Sequence, residues 1–160
     1  MKICCFTGHR DIPADLRPAL RTRLDECLYR LIDDGVTVFR TGGARGFDSI
    51  AAEQVLTMRQ RFDFIHLDLI LPCHGQTKGW SAEEQAVYRR IMAEADRVIF
   101  LQESYSPGCM QRRNLALLAE ADVCVAYQTH AGGGTAFTVS HAKSASIPVI
   151  NLAAESPDPT

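Results

Sequence analysis

One stretch of the sequence decides the fold: VTVFRTGGARGFDSIAAEQVL, residues 36–56. Residues 36–40 form a largely apolar run, which is typical of a strand, and a glycine cluster follows at residues 42–46. From Phe47 onward, apolar residues return at helical spacing, at Ile50, Ala51 and Val55. The stretch therefore predicts a strand that leads through a glycine-rich turn into a helix.

The same alternation extends in both directions along the chain. Outside this stretch we predict strands at residues 3–6, 65–71, 98–101, 123–127 and 147–152. Helices fill the intervals between the strands. Asp15 is placed to cap the first helix, which tolerates Pro18 in its first turn. Ser81 and Glu84 have the spacing of a capping box at the start of the third helix.

The strands are nearly continuous apolar runs, as at Val98–Leu101, which indicates a sheet covered on both faces. Strands that alternate with helices favour parallel pairing. We therefore predict an α/β fold: a Rossmann-like, doubly wound, mainly parallel sheet flanked by helices, in a single domain. The predicted domain covers residues 1–154, and residues 155–160 form a frayed C-terminal tail.

The amino-acid composition of the chain disfavours some classes of binding partner. Lys and Arg total 17 against 19 for Asp and Glu, a net charge of −2, so we expect no broad attraction to nucleic acid or to a membrane surface. No apolar run approaches the length of a signal peptide core or a membrane span, which favours a cytoplasmic protein. The six cysteines form no C-x-x-C pair, so we expect reduced thiols and no metal site.

The candidate site follows from the fold. In such sheets the ligand lies beyond the carboxyl ends of the strands, where the strand order reverses. Three glycine-rich segments fall there: Thr7–Arg10, Thr41–Gly46 and Gly132–Thr135. Glycine lets backbone N–H groups approach a ligand, and a helix N-terminus adds a partial positive charge. We therefore predict a phosphate-bearing ligand. Neither the P-loop nor the dinucleotide fingerprint is present, so we expect no ATP hydrolysis, no NAD chemistry and no obligatory cofactor.

The candidate ligand-binding residues lie on these segments or follow the neighbouring strands. They are Gly8, His9, Arg10, Gly42, Gly43, Ala44, Arg45, Gly46, Asp48, Pro72, Trp80, Arg113, Asn114, Gly132, Gly133, Gly134 and Thr135. Several have a second interpretation. Arg10 and Arg45 clamp an anion or lie in solvent, and His9 donates to a phosphate or caps the following turn. Asp48 caps its helix or contacts a ribose, and Trp80 stacks on a base or packs.

Together these segments resemble the YpsA-like branch of the SLOG superfamily, which also groups DNA-processing protein A and the Lonely-Guy enzymes. The matching stretches run from end to end of the chain: Thr7–Arg10, Gly42–Leu56, Leu71–Trp80 with Tyr88, Tyr105–Asn114 and Gly133–Lys143. The resemblance implies a nucleotide-derived ligand at the glycine loops and a homodimer.

Lonely-Guy enzymes cleave the N-glycosidic bond of nucleoside 5′-monophosphates with a P-G-G-x-G-T-x-x-E motif. In the corresponding run here, Thr138 stands where that motif has its catalytic glutamate. Three functions therefore stay open. The first is binding or sensing of a nucleotide, nucleotide-sugar or related phosphosugar. The second is N-glycosidase or phosphoribohydrolase activity with Asp48 or Glu53 as the acid–base group. The third is single-stranded nucleic-acid binding, which the near-neutral charge disfavours.

Overall fold

The computed structural model describes residues 1–153, so the predicted tail at 155–160 lies outside the described residues. The chain alternates strands and helices as the sequence predicts. The elements are β1 (Lys2–Gly8), α1 (Arg17–Asp33), β2 (Val36–Thr41), α2 (Phe47–Arg59), β3 (His66–Leu71), α3 (Ala82–Glu94), β4 (Arg97–Phe100), α4 (Cys109–Leu118), β5 (Val123–Tyr127), α5 (Gly133–Ser144) and β6 (Val149–Asn151).

The six strands form one sheet in the order β4-β3-β2-β1-β5-β6, and every neighbouring pair is parallel. The chain builds outward from β1 through β2, β3 and β4, and then returns to place β5 and β6 on the other side of β1. The order therefore reverses between β1 and β5. This topology confirms the predicted Rossmann-like α/β fold.

The helices cover the two faces of the sheet unequally. Helices α1, α2 and α3 pack on one face over a large core that includes Phe6, Phe39 and Phe47, all fully buried. Helices α4 and α5 cover a smaller apolar cluster on the other face around Leu117 and Ala142. Burying one such Phe or Leu side chain contributes roughly 1.5–3 kcal/mol. The six cysteines are buried free thiols within these layers and their loops.

The helix starts confirm one capping prediction and correct another. Ser81 Oγ accepts from the Glu84 N–H at 3.1 Å, and Glu84 Oε1 accepts from the Ser81 N–H at 3.0 Å, so the capping box is present. The prediction that Asp15 caps α1 is wrong. Asp15 lies in a short 3₁₀ turn, Ala14–Leu16, and α1 starts at Arg17 without a side-chain cap. Pro18 fits there because the first N–H groups of a helix have no partner inside it.

Candidate functional site

A crevice of about 270 Å³ opens beyond the carboxyl ends of β1 and β5, where the strand order reverses. This is the position at which the topology predicts a ligand. Its walls are the end of β1 with its following turn, part of the loop after β2, one side of α4 and the start of α5. The lining residues are Phe6, Thr7, Gly8, His9, Arg10, Ala44, Asp48, Met110, Arg113, Asn114, Leu117, His130, Gly132, Gly133, Gly134 and Thr135.

The turn that opens α5 presents bare backbone to the crevice. Gly132 and Gly133 have φ values of +96° and +78°, and a Cβ added to either would meet no protein atom within 4 Å. No side chain caps α5, so its first N–H groups have no side-chain partner. Free N–H groups and the positive end of a helix dipole together favour an anion at this turn.

The glycines after β2 have a different role. A Cβ added to Gly46, whose φ is +79°, would overlap the carbonyl oxygen of Arg10, and one added to Gly42 would overlap the guanidinium of Arg113. Gly43 is confined by the side chains packed over it. These three glycines do not line the crevice, which corrects their predicted place in it. These positions require glycine because other parts of the protein occupy the space that a side chain would need.

Two buried side chains, Asp48 and Arg113, hold this loop in place. Asp48 Oδ2 accepts from the Ala44 N–H at 3.2 Å, and Arg113 Nη1 donates to the carbonyl oxygen of Gly42. Burial raises the pKa of Asp48 to about 6, against the opposing effects of Arg113 and the loop N–H groups. Burial likewise lowers the pKa of Arg113. Asp48 therefore ties the loop together, and the prediction that it caps α2 is wrong because α2 has no side-chain cap.

Asn114 offers a free donor at the opposite wall of the crevice. Its Oδ1 atom accepts from Arg113 Nε at 2.9 Å, which fixes the orientation of the amide. Its Nδ2 group makes no hydrogen bond within residues 1–153, and a Cβ added to Gly134 would lie 3.5 Å from it. The amide N–H groups therefore lie beside the open turn of α5.

Two stacked histidines stand at the rim. The rings of His9 and His130 are parallel within 2°, with centroids 4.1 Å apart. His9 Nε2 accepts from the Thr129 N–H at 2.8 Å, which places the proton of the neutral ring on Nδ1. Burial, and then His130, lower the pKa of His9. His9 thus joins the turn after β1 to the loop after β5, so its hydrogen bond does not cap its own turn.

Arg45 and Glu53 lie outside the crevice. Both line a neighbouring groove, and the prediction that they share the crevice with the other candidates is wrong. Glu53 is also engaged: Arg21 Nη2 lies 3.1 Å from one carboxylate oxygen, and Arg90 binds the other. Glu53 therefore does not face the crevice as an acid–base group.

Pro72 and Trp80 also lie outside the crevice. Strand β3, which Pro72 follows, is separated from β1 by β2, and the chain after it runs towards α3. The Trp80 ring packs edge-on against Tyr88, with centroids 5.6 Å apart. The packing interpretation of Trp80 agrees with this contact.

Four lining residues were missed from the sequence, namely Phe6, Met110, Leu117 and His130, and Thr7 was placed at the site only as part of its segment. A signal for two of them was available. Met110 and Leu117 stand three positions before Arg113 and three after Asn114, so all four lie on one side of α4. His130 lies two positions before the open glycines and shares their loop.

Thr138 lies within α5, away from the crevice. Its side chain is fully buried, and its Oγ1 donates to the carbonyl oxygen of Gly134 at 3.0 Å. It therefore neither lines the crevice nor presents a titratable group to it.

Within residues 1–153, no three His, Cys, Asp or Glu side chains are grouped so that they could hold a metal ion. None of the helices in that range has both the length and the apolarity that crossing a membrane requires.

Among proteins of known sequence, the chain is 28% identical over 138 residues to the SPbeta prophage-derived protein YoqJ of Bacillus subtilis strain 168, covering 76% of this chain and 81% of that one. It is 25% identical over 153 residues to a UPF0398 protein of Bacillus pumilus, covering 89% and 82%.

Among solved structures, DNA processing protein A from Helicobacter pylori, whose description refers to single-stranded DNA binding, superposes with a TM-score of 0.65 at 19% identity. That match covers 92% of this chain and 63% of the other, and at such low identity it shows the fold alone. The model of the YspA SLOG family matches residues 6–149. The match takes in the turn after β1, the crevice and the open glycines, and the chain therefore belongs to the YspA SLOG family.

Proposed function

We propose that this protein binds a phosphate-bearing nucleotide, nucleotide-sugar or related phosphosugar in the crevice. The observation that carries the proposal is the uncapped start of α5, where Gly132 and Gly133 leave open space in front of the backbone. Arg10 lines the same space, and the Asn114 amide is a further donor. Helix N–H groups, a guanidinium and an amide are donors that a phosphate accepts from.

The size and lining of the crevice support the same class of ligand. Its 270 Å³ lies near the small end of the range for small-molecule sites, about 300–1,000 Å³, and suits a phosphate with its sugar. Phe6, Met110 and Leu117 add apolar wall against which a sugar or base can pack. This combination of an apolar wall and a few placed donors is typical of small-molecule sites.

The test is Gly134→Val, because the new side chain would project into the crevice. Gly134 does not have a positive φ, and the nearest atom to an added Cβ is 3.5 Å away, so the variant should fold. We expect calorimetric affinity for nucleoside 5′-monophosphates to fall about tenfold or more, a loss of at least about 1.4 kcal/mol. Ala136→Val, on the same helix but outside the crevice lining, is the matched control. Unchanged affinity in a folded Gly134→Val protein would contradict the proposal.

A second candidate function is cleavage of the N-glycosidic bond, and Asp48 is the observation that favours it. Asp48 lines the crevice, and a carboxyl group with a pKa of about 6 suits proton transfer near neutral pH. Its hydrogen bond to the Ala44 N–H, however, engages the carboxyl group in holding the loop. We therefore rank binding above hydrolysis. Release of free base from nucleoside monophosphates, measured by chromatography and abolished by Asp48→Asn, would reverse that ranking.

A further inference from the structure

A second cavity lies directly beside the crevice. It is a groove of about 320 Å³ between α1, the loop after β2 and the start of α3. Arg10 lines both cavities, and consecutive residues of one loop divide between them: Ala44 lines the crevice, whereas Arg45 and Gly46 line the groove. The two cavities therefore adjoin at Arg10.

The groove is rich in arginine. Its lining includes Arg10, Arg17, Arg21 and Arg45, together with three glutamates. The glutamates are partly engaged, since Glu53 binds Arg21 and Arg90, and Glu84 accepts the Ser81 N–H in the capping box. This arrangement leaves positive charge at the end of the groove nearest the crevice.

Arg45 has a buried hydrogen-bond donor that is unused within the described part of the chain. Its Nε is buried and has no hydrogen-bond partner within residues 1–153. Its Nη1 lies 3.7 Å from Glu84 Oε1, an ion-pair distance that is too long for a hydrogen bond. A buried N–H without an acceptor is unfavourable, and an anion placed there would satisfy it.

We propose that this groove is a second anion subsite, and that Arg45 with Arg10 receives a second phosphate of a ligand whose first phosphate lies at the start of α5. This inference rests on the proposed function of the crevice and adds the class of ligand: a nucleoside that carries two separate phosphates. A nucleic-acid strand repeats the same chemistry. A longer strand would bring further phosphates against the glutamates that lie among these arginines, whereas a bisphosphate brings only one phosphate to Arg45 and Arg10, so we assign the groove to a free bisphosphate.

The test compares matched ligands on matched variants. The probes are the nucleoside 5′-monophosphates of the four common ribonucleosides and their 3′,5′-bisphosphates, titrated by calorimetry into the intact protein. We expect the best bisphosphate to bind about tenfold tighter than its monophosphate, an advantage that Arg45→Gln removes while monophosphate affinity stays within about twofold. Arg61→Gln removes the same charge beyond the far end of α2 and is the control.

A second variant is expected to strengthen binding of the bisphosphate, which a simple loss of structure could not do. Glu84→Gln removes the charge that faces Arg45, and Gln keeps the acceptor that the capping box needs. We expect this variant to strengthen binding of the bisphosphate about twofold to fivefold and to leave the monophosphate unchanged.

The outcomes separate the two proposals. Equal affinity for both ligand classes, or equal weakening of both by Arg45→Gln, overturns the subsite and leaves the crevice standing. Bisphosphate binding that depends on Arg45 but is unaffected by Gly134→Val supports anion binding in the groove, and it overturns both the crevice proposal and the placement of the first phosphate at the start of α5. Failure of every probe to bind the folded protein overturns both. Tighter binding of a 5′-phosphorylated oligonucleotide than of any bisphosphate overturns the assignment to a free small molecule.

Discussion

Asp48 makes the stability of this protein depend on pH in an unusual direction. Its pKa is about 6 in the folded protein against an ordinary value of 3.8, so the folded state retains a proton that the unfolded state has lost between those pH values. The contribution of Asp48 to the free energy of unfolding must then fall as pH rises from about 4 to about 6, with a slope of at most about 1.4 kcal/mol per pH unit for one proton. Most paired carboxylates have the opposite effect.

Asp48→Asn should remove this contribution, because an amide does not titrate and its oxygen can still accept from the Ala44 N–H. The measurement is urea unfolding of both proteins at pH 4, 5, 6 and 7. Groups that titrate elsewhere act on both proteins, so the difference isolates Asp48. We expect the variant to gain stability relative to the wild type as pH rises through this window. A difference that is constant with pH would contradict the assigned pKa.

Among the elements, the loop between β2 and α2 is the part of the site most sensitive to a single methyl group. Gly46 has a φ of +79° and lies against the backbone of Arg10, whereas Gly75 has the same φ with no atom within 4 Å of an added Cβ. Gly75→Ala should cost about 1–2 kcal/mol from backbone conformation alone. Gly46→Ala should lower the free energy of unfolding by the same amount and by about 1–3 kcal/mol more, because the new methyl group overlaps the backbone of Arg10. Urea unfolding of the two variants measures the difference, and equal losses would contradict the close approach.

The glycine loops that open α2 and α5 show how much of the site could be predicted from the sequence. Apolar runs and the Ser81 capping box predicted the strands and helices, because those signals are local. The loops at residues 42–46 and 132–134 are both glycine-rich, yet only the glycines of the second face open space. The difference depends on which distant residue lies opposite, here Arg10 or Arg113, and no local pattern encodes that. The spacing of Arg113 and Asn114 relative to Met110 and Leu117 would have predicted which side of α4 lines the crevice.

For the whole molecule, the balance of charge predicts how strongly the protein binds nucleic acid and how that affinity depends on salt. The net charge is −2, and the arginines of the groove stand among glutamates. We expect weak binding of single-stranded DNA through one or two phosphates, and therefore a slope of log affinity against log salt of roughly −0.7 to −1.4. Fluorescence anisotropy of a labelled oligonucleotide over a range of NaCl concentrations measures it. A slope several times steeper, with tight binding at physiological salt, would favour the nucleic-acid function.

The pairing of β1 with β5 also has a consequence for how the protein assembles. Asp122 Oδ2 accepts from the Ile3 N–H, and the Ile3 carbonyl oxygen accepts from the Asp122 N–H, although the two residues are 119 positions apart in the chain. During synthesis, β1 is made before β5, so the edge of β1 towards β5 stays unpaired until β5 has been made. Closing such a long loop is entropically costly and slow. A nascent chain can therefore pair β1 with β2 before β5 is available, and the crevice is complete only once α5 has been made.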